Sequence, residues 1–435
     1  MIKNFKGKVV VITGGASGIG RGLAFGFAKR GMKIVLADID KENLDKVAKE
    51  LENKFGTEVM TQITDVSDPE QVAHLAEVSY ERFGSVNILC NNAGIGGNGP
   101  LRFLTQENWN WTLGINLFGV IYGIQYFLNR MLESKEPCHI VNTSSMSGLL
   151  SGDSQPYPAS KFAVVAISES LALECFNTNV GISVVCPGFV NTNIIENTRI
   201  LSQTRPGLWQ PTPEMIKQSE IIRENAEKII ALGMDPEKLA EIVIRAIEKD
   251  ILYVLTHPEY IPLIKSRFEL IYDNTLKLYE GIEEKGNIES KIFQNDTPAF
   301  SLTYPADLIE LNPNPFVFRV FKPVLVASRI PGFDLLIFVF KSSTYRLEKT
   351  AQRLAKRIKR RASEVNILSN EPITLRDGTS AYESVIEFKS AGIFKVKSIH
   401  LSVIKDEHRI RISIFTNANY YNEELREILH SLEFN

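Results

Sequence analysis

Cysteine is scarce in this chain. There are four, Cys90, Cys138, Cys175 and Cys186, and none has a close sequence partner. That excludes a disulfide framework as the basis of the fold and suits a reducing, cytoplasmic setting. The six histidines show no metal-ligand spacing, so no metal centre is expected. Long apolar runs are missing as well. Nothing reaches the roughly 20 apolar residues of a membrane helix. The nearest stretch, 113–128, carries Asn116 and Gln125 and reads as a buried helix. The first strand pattern begins almost at Met1, leaving no room for a signal peptide. What remains is a globular composition, 44% hydrophobic and 23% charged, in a chain of 435 residues, long enough for more than one domain.

The first informative segment is glycine-rich. Val9, Val10, Val11 and Ile12 form a short continuous apolar run, as expected of a strand buried on both faces. Gly14, Ser17, Gly18, Ile19 and Gly20 follow, and then Leu23, Ala24, Phe27 and Ala28 recur at helical spacing up to Gly31. Strand, glycine turn and helix is the layout in which backbone N–H groups and a helix N-terminus meet a pyrophosphate. Glycine is needed where a side chain would block the phosphates. The next strand, Lys33 to Ala37 in pattern, ends at Asp38. An acidic side chain about 20 residues beyond the turn suits an adenosine ribose and repels a 2′-phosphate. No Arg or Lys precedes Gly18 in the turn or directly follows Asp38. NAD is therefore expected over NADP.

Residues 1 to about 265 resemble the short-chain dehydrogenases/reductases. The segments that carry the resemblance are Thr13 to Gly20, Asp65-Val66, Asn91-Asn92-Ala93-Gly94, Asn116, Ser144-Ser145, Tyr157-x-x-x-Lys161 and Pro187-Gly188-Phe189-Val190-Asn191-Thr192. They stand in the family's order and near its spacing. The resemblance implies that Asp65, with Val66 beside it, holds the adenine. It implies that Asn92, Ala93 and Gly94 line the cofactor pocket, and that Thr192, after Pro187, Gly188 and Val190, meets the carboxamide end of the nicotinamide. Asn116, Ser145, Tyr157 and Lys161 would be the catalytic tetrad. Ser145 stands 12 residues before Tyr157, one short of the family's commoner separation, which Ser144 has. The flanking Met146 and Gly148 favour Ser145, and the two serines remain alternatives here. The resemblance also implies a homo-oligomer, a dimer or tetramer, with the helix at 113–128 in a subunit interface.

The residue types fit that chemistry. On a helix over 157–176, Tyr157 and Lys161 share a face, one turn apart. A phenol titrates near 10 in water. A neighbouring ammonium and the positive nicotinamide would stabilise phenolate and lower that value. Tyr157 would take the proton of a substrate hydroxyl in oxidation and return it in reduction. Ser145 would hydrogen-bond the substrate oxygen. By the resemblance, Lys161 also binds the nicotinamide ribose and Asn116 helps hold a water that links Lys161 to solvent. Pro158, beside the tyrosine, is tolerated in a first helical turn.

The resemblance implies a substrate-covering lid over 191–233. Ile194, Ile195, Leu201, Leu208, Trp209, Met215, Ile221 and Ile222 suggest an apolar wall over an alcohol or ketone. A helix should start at Asp235-Pro236, and a last strand should cover 251–255. His257 after it reads as a packing or hydrogen-bonding residue. A helix over 260–283 follows.

Beyond that the pattern changes. Strands are expected at 300–305, 316–321, 335–340 and 382–388, with a hairpin of 395–403 and 409–415 about Asp406-Glu407. Helices are expected at 344–362 and 421–432. The expected fold class is thus α/β, a Rossmann-type doubly wound parallel sheet, followed by a smaller α+β domain. The expected divisions are a dinucleotide-binding domain over 1–285, a linker over 286–298 and an accessory domain over 299–435. The order of elements in this last part resembles PsbP-like domains, implying a binding or scaffolding module. Charge separates the halves: 28 Lys+Arg against 35 Asp+Glu in 1–289, and 21 against 16 in 290–435. Much of the excess lies in the basic helix 344–362, where an anionic partner is one reading and a solvated face the other. No aromatics interleave those charges as a single-strand nucleic-acid binder would need. Two functions follow. One is an NAD-linked oxidoreductase acting on a secondary alcohol or ketone. The other is an NAD(H)-sensing regulatory protein whose C-terminal domain contacts a partner.

Overall fold

The computed structural model describes residues 2–97, 99–152, 155–176, 178–212, 228–279, 290–296, 299–305, 309–314, 317–321, 333–341, 363–375, 378–390, 394–405, 408–417 and 433–434. The chain divides into two compact units, Met1–Asp273 and Asn274–Asn435.

The first unit is built on a parallel sheet of seven strands: β1 (Val9–Thr13), β2 (Lys33–Asp38), β3 (Val59–Ile63), β4 (Ile88–Asn91), β5 (Cys138–Thr143), β6 (Val180–Cys186) and β7 (Tyr253–Leu255). Their spatial order is β3-β2-β1-β4-β5-β6-β7. Helices cover both faces, which is why β1, β4 and β5 are buried along their whole length. Burying each such Val or Ile side chain contributes about 1.5–3 kcal/mol. The helices are α1 (Gly18–Ala28), α2 (Lys41–Phe55), α3 (Pro69–Phe83), α4 (Gln106–Leu113), α5 (Gly119–Glu133), α6 (Tyr157–Glu174), α7 (Ile194–Gln203), α8 (Pro236–Lys249) and α9 (Ile261–Tyr279). Their ends carry the expected signals. Asp40, Asp68 and Asp235 cap α2, α3 and α8 with side-chain oxygens, and Gly56 and Gly84 close α2 and α3 in left-handed geometry.

From β1 the chain winds outward through β2 to β3, then returns across β1 to β4. The loops after β1 and β4 therefore diverge and leave a crevice at the C-terminal strand ends, where α/β sheets bind ligands. A π turn over Gly114–Phe118 joins α4 to α5, so that Gln106–Glu133 is one continuous helical run. Among the described residues this run alone is long and apolar enough to cross a membrane, and 44% of its apolar window is buried inside the protein.

Beyond the end of α9, the described elements of the second unit are antiparallel strands. Seven form one sheet, in the order β10 (Ile309–Asn314), β11 (Val317–Phe321), β12 (Phe333–Lys341), β16 (His408–Asn417), β15 (Phe394–Lys405), β14 (Ser380–Ser390), β13 (Ser363–Thr374). Three form another: β17 (Glu433–Phe434), β9 (Ala299–Pro305) and β8 (Ser290–Asp296). The hairpin expected about residues 406–407 is the β15–β16 pair. Ala381, Val385, Ile399, Leu401 and Val403 share one face at a spacing of two, and Ser384, Ile386, Ser398, His400 and Ser402 on the other face are buried as well. The stretch 286–298, expected to be a linker, contains β8, whose seven residues pair in register with β9. The division between units falls inside α9 rather than near residue 285. The helices expected at 344–362 and 421–432 lie outside the described residues.

Candidate active site

At the crevice, β1 and β4 are laced together. Thr13 Oγ1 accepts the N–H groups of Asn92 and Ala93 at 2.9 and 3.1 Å, and Asn92 Nδ2 donates to the Thr13 carbonyl at 3.0 Å. Gly14 has φ +68°, and a Cβ there would sit 2.8 Å from Ala93 Cα. A Cβ on Gly20 would run into the Gly14 carbonyl. The turn is thus pressed against its own helix in a way only glycine permits. Gly20→Ala should cost about 1–3 kcal/mol and lower Tm by roughly 2–10 °C. Thermal melting checks this; an unchanged Tm would deny the close approach.

The N-terminus of α1 is open. Ser17 makes no side-chain cap and the first turn has no acidic residue, so the N–H groups there are available to an anion. Asp38 faces the same turn, accepting from Ala16 N at 3.0 Å and Asp40 N at 3.1 Å. Burial raises the Asp38 carboxyl above the usual range, and those backbone N–H groups oppose the rise. Asp65 accepts the N–H and hydroxyl of Ser67 at 2.9 and 2.7 Å. Residues cradling a dinucleotide would need this set: a glycine turn, a free helix N-terminus and a carboxylate at the next strand end.

The second half of the site lies beyond β5. Ser144 and Ser145 point apart. Ser144 is buried and its hydroxyl donates to the Lys161 carbonyl at 2.8 Å. Ser145 Oγ accepts Ser147 N–H at 3.0 Å and is hydrogen-bonded to the Tyr157 hydroxyl. Tyr157 opens α6, with Pro158 in its first turn, where no hydrogen bond is lost. Lys161, one turn on, is buried. Its Nζ donates to the Thr143 carbonyl at 2.9 Å and lies 5.6 Å from the centroid of the Tyr157 ring. Burial pulls the Lys161 ammonium down to about 8. The Tyr157 phenol is raised, by burial first, with the Ser145 hydrogen bond opposing. The expected lowering of the phenol thus rests on the positive nicotinamide and not on the chain alone. Within the chain's own field, desolvation outweighs an ammonium that is itself desolvated and turned to a carbonyl.

Asn116 sits in the π turn, fully buried. Its Oδ1 accepts Ile95 N–H at 2.8 Å, and its Nδ2 donates to the Ile95 carbonyl at 3.0 Å and to Ser160 Oγ at 3.2 Å. The side chain therefore braces the Asn92–Gly94 loop against α6 rather than lining the crevice. After β6, the Pro187-Gly188 turn is held from both sides of one imidazole. Gly188 N–H donates to His257 Nδ1 at 3.1 Å, and His257 Nε2 lies 3.0 Å from the Phe189 carbonyl. The expectation of a hydrogen-bonding histidine is met. Thr192 then lies over Gly18, whose added Cβ would be 3.0 Å from Thr192 Cγ2.

One cavity of about 1000 Å³ joins these parts. It runs from Asp38 and Asp65, past Gly14 to Ile19 and Asn92 to Gly94, to Ser145, Tyr157, Lys161 and the turn of Pro187, Gly188, Val190 and Thr192. Its far wall is apolar and includes Trp111, Ile115, Leu150, Ile194 and Leu201. The descent from α7 is pinned to the start of α4. Thr105 Oγ1 donates to the Gly207 carbonyl at 2.8 Å, Arg205 Nε to Glu107 at 3.2 Å, and Trp209 N–H to Asn108 Oδ1 at 3.0 Å.

A family model described as short chain dehydrogenase matches residues 8–201. The CLA biosynthesis dehydrogenase/reductase of Lactiplantibacillus plantarum is 36% identical over 276 residues, 62% of this chain and 95% of that protein. The chain belongs to the short-chain dehydrogenase/reductase family. The C alpha-dehydrogenase of Sphingobium sp. strain SYK-6 is 34% identical over 281 residues, 63% of this chain and 88% of that protein. Among solved structures, a short chain dehydrogenase/reductase from Burkholderia phymatum in complex with NAD superposes with TM-score 0.58 at 38% identity, over 63% of this chain and 97% of that one.

As in a short-chain dehydrogenase/reductase, the residues anticipated from sequence gather at one crevice. Of them, Gly20 and Asn116 do not line the cavity but support it from behind. Of the expected lid residues, Ile194 and Leu201 line it, Leu208 packs with Ile95 and Trp111, and Trp209 stacks on Phe103 at 5.4 Å. Met215, Ile221 and Ile222 lie outside the described residues. Asp40, Asn43, Thr143, Trp111, Arg205 and Tyr260 also line the cavity. Of these, Asp40 and Asn43 are near neighbours of Asp38 in sequence, and Arg205 falls within the expected lid.

Proposed function

We propose that this chain is an NAD-dependent oxidoreductase that transfers hydride between the nicotinamide and a partly apolar secondary alcohol or ketone. The observation that carries the reading is the single cavity joining the glycine turn and Asp38 to Ser145, Tyr157 and Lys161. Gly14, Gly18 and the N-terminus of α1 would hold the pyrophosphate, Asp38 the adenosine ribose, and Lys161 the nicotinamide ribose. The dinucleotide supplies the hydride acceptor or donor. Tyr157 holds or moves the substrate proton at its hydroxyl oxygen. Ser145 hydrogen-bonds the substrate oxygen as charge develops there. Asn116 and His257 act through others, positioning the Asn92–Gly94 loop and the Pro187-Gly188 turn. The NAD complex of the Burkholderia phymatum relative supports NAD, as does the Asp38 carboxylate. Phe118 and Tyr126, exposed on the run Gln106–Glu133, support a homo-oligomer. Residues 299–435 are proposed to be an accessory binding module.

The test is purified protein with NAD and a panel of secondary alcohols, against Tyr157→Phe. Turnover in the wild type that the variant lacks supports the enzyme; equal absence in both returns the chain to the NAD(H)-sensing reading. A pH profile adds a second check. Below about pH 8 Lys161 carries its proton, and above it the amine is neutral. In reduction the ammonium stabilises the phenolate left on Tyr157, so kcat/KM for ketone reduction should fall as pH rises through about 8. A profile flat through that window would remove Lys161 from this role.

A further inference from the structure

The charged side chains that line the cavity, among the described residues, are unevenly placed. Asp38, Asp40 and Asp65 follow β2 and β3 at one end, Lys161 lies midway, and Arg205 stands among the substrate-side residues. The wall around Arg205 is apolar. Its guanidinium lies over the Trp111 ring, 5.8 Å from the centroid, and Trp111 is buried and forms part of the cavity wall. Leu201, Ile115 and Ile95 pack in the same cluster. The contact to Glu107 uses Nε alone, at 3.2 Å. The two terminal nitrogens have no hydrogen-bond partner among the described residues. An Arg presents its donors as a rigid planar fork, so an engaged Nε leaves a second edge that matches a carboxylate. The backbone just beyond Arg205 is also held, because Gly207 and Trp209, two and four residues on, are tied to Thr105 and Asn108. Such a cation loses little freedom when it meets an anion.

We propose that the substrate carries a carboxylate on its apolar body and that Arg205 receives it. This deepens the dehydrogenase reading above and rests on it. The three carboxylates at the opposite end disfavour that end for an acid substrate, so the charge pattern also sets which way the substrate lies.

The test uses the full chain, NAD, a positional series of secondary alkyl hydroxy acids and the methyl ester of each. The readout is the acid-to-ester ratio of kcat/KM. The wild type should prefer the acid for at least one hydroxyl position. Arg205→Leu should lower that ratio about tenfold or more, chiefly through KM. Glu107→Gln removes the competing carboxylate at constant volume and should hold or raise the ratio. Should Arg205→Leu not fold, Arg205→Gln, which can still donate to Glu107, is read in the same way. A wild-type ratio near unity at every position overturns the proposal. Equal falls in the Arg205 and Glu107 variants also overturn it, leaving the pair as a lid anchor. If the esters are oxidised without acid preference, only the Arg205 assignment fails. If neither acids, esters nor simple secondary alcohols are oxidised, the dehydrogenase reading fails, and this inference with it.

Discussion

Tyr157→Phe should lower kcat about a thousandfold while leaving the dissociation constant for NAD within about threefold. The substitution removes one oxygen and keeps the ring. The lost oxygen is the one hydrogen-bonded to Ser145 at the mouth of α6. No other titratable side chain in the described part of the site pairs with that serine, so no neighbour is placed to take over the proton. Lys161 does not pair with the Tyr157 oxygen: its Nζ is on the Thr143 carbonyl and 5.6 Å from the centroid of the Tyr157 ring. The raised phenol sharpens the expectation. Because burial holds the proton on Tyr157 within the chain's own field, deprotonation depends on positive charge arriving beside it. Oxidation by the wild type should therefore climb with pH, and the residual rate of the variant should lose most of that slope. Steady-state kinetics with NAD titration by fluorescence separates the two quantities. A variant that keeps more than about a tenth of wild-type kcat would mean that another group carries the proton.

Asp38→Ala should shift the ratio of kcat/KM for NAD over NADP about a hundredfold toward NADP. Two effects add. Loss of a charged acceptor to the ribose costs roughly 1.5–3 kcal/mol with NAD. Removing a half-buried carboxylate also lifts its repulsion of a 2′-phosphate, which is stronger than for an exposed pair because screening is weaker there. The Asp38 carboxylate also organises the turn through Ala16 N and Asp40 N. Asp38→Asn is therefore the companion variant: it keeps an acceptor for those groups while removing the charge. If Asn shifts the ratio as Ala does, charge is the cause. If wild type already favours NADP, the account of Asp38 is wrong.

Much of this site could be read along the chain because its parts are local. A strand, a glycine turn and a helix occupy residues 9–28, and their backbone geometry follows from residue types. Tyr157 and Lys161 share a helix face by spacing alone. The choice between Ser144 and Ser145 could not be made that way. Both stand within one residue of the family's spacing, and successive side chains in extended backbone point to opposite sides. Which of the two faces Tyr157 depends on the register of β5 against β6, visible only when Ser144 N–H is seen on the Val185 carbonyl. Trp111, Arg205 and Tyr260 escaped notice for a different reason. They are brought to the cavity from three distant segments by tertiary packing, and only Arg205 stands in a stretch, the expected lid, that the sequence marked. The strand β8 was missed because its residues are mixed, and its pairing with β9 supplies the order that pattern lacks.

The π turn between α4 and α5 has a geometric consequence for the whole substrate end. Asn108, Thr112, Asn116 and Val120 are all buried, and they fall at intervals of four. On an ideal α-helix each such step over-rotates by about 40°, so three would swing the last residue about 120° out of phase with the first. The wider turn at Gly114–Phe118 takes up that drift at its midpoint. It works as a phase corrector, letting one helical run face the lid foot through Asn108 and the sheet core through Phe127 and Met131. Removing a single residue there would leave a good helix whose two halves no longer face the surfaces they now serve.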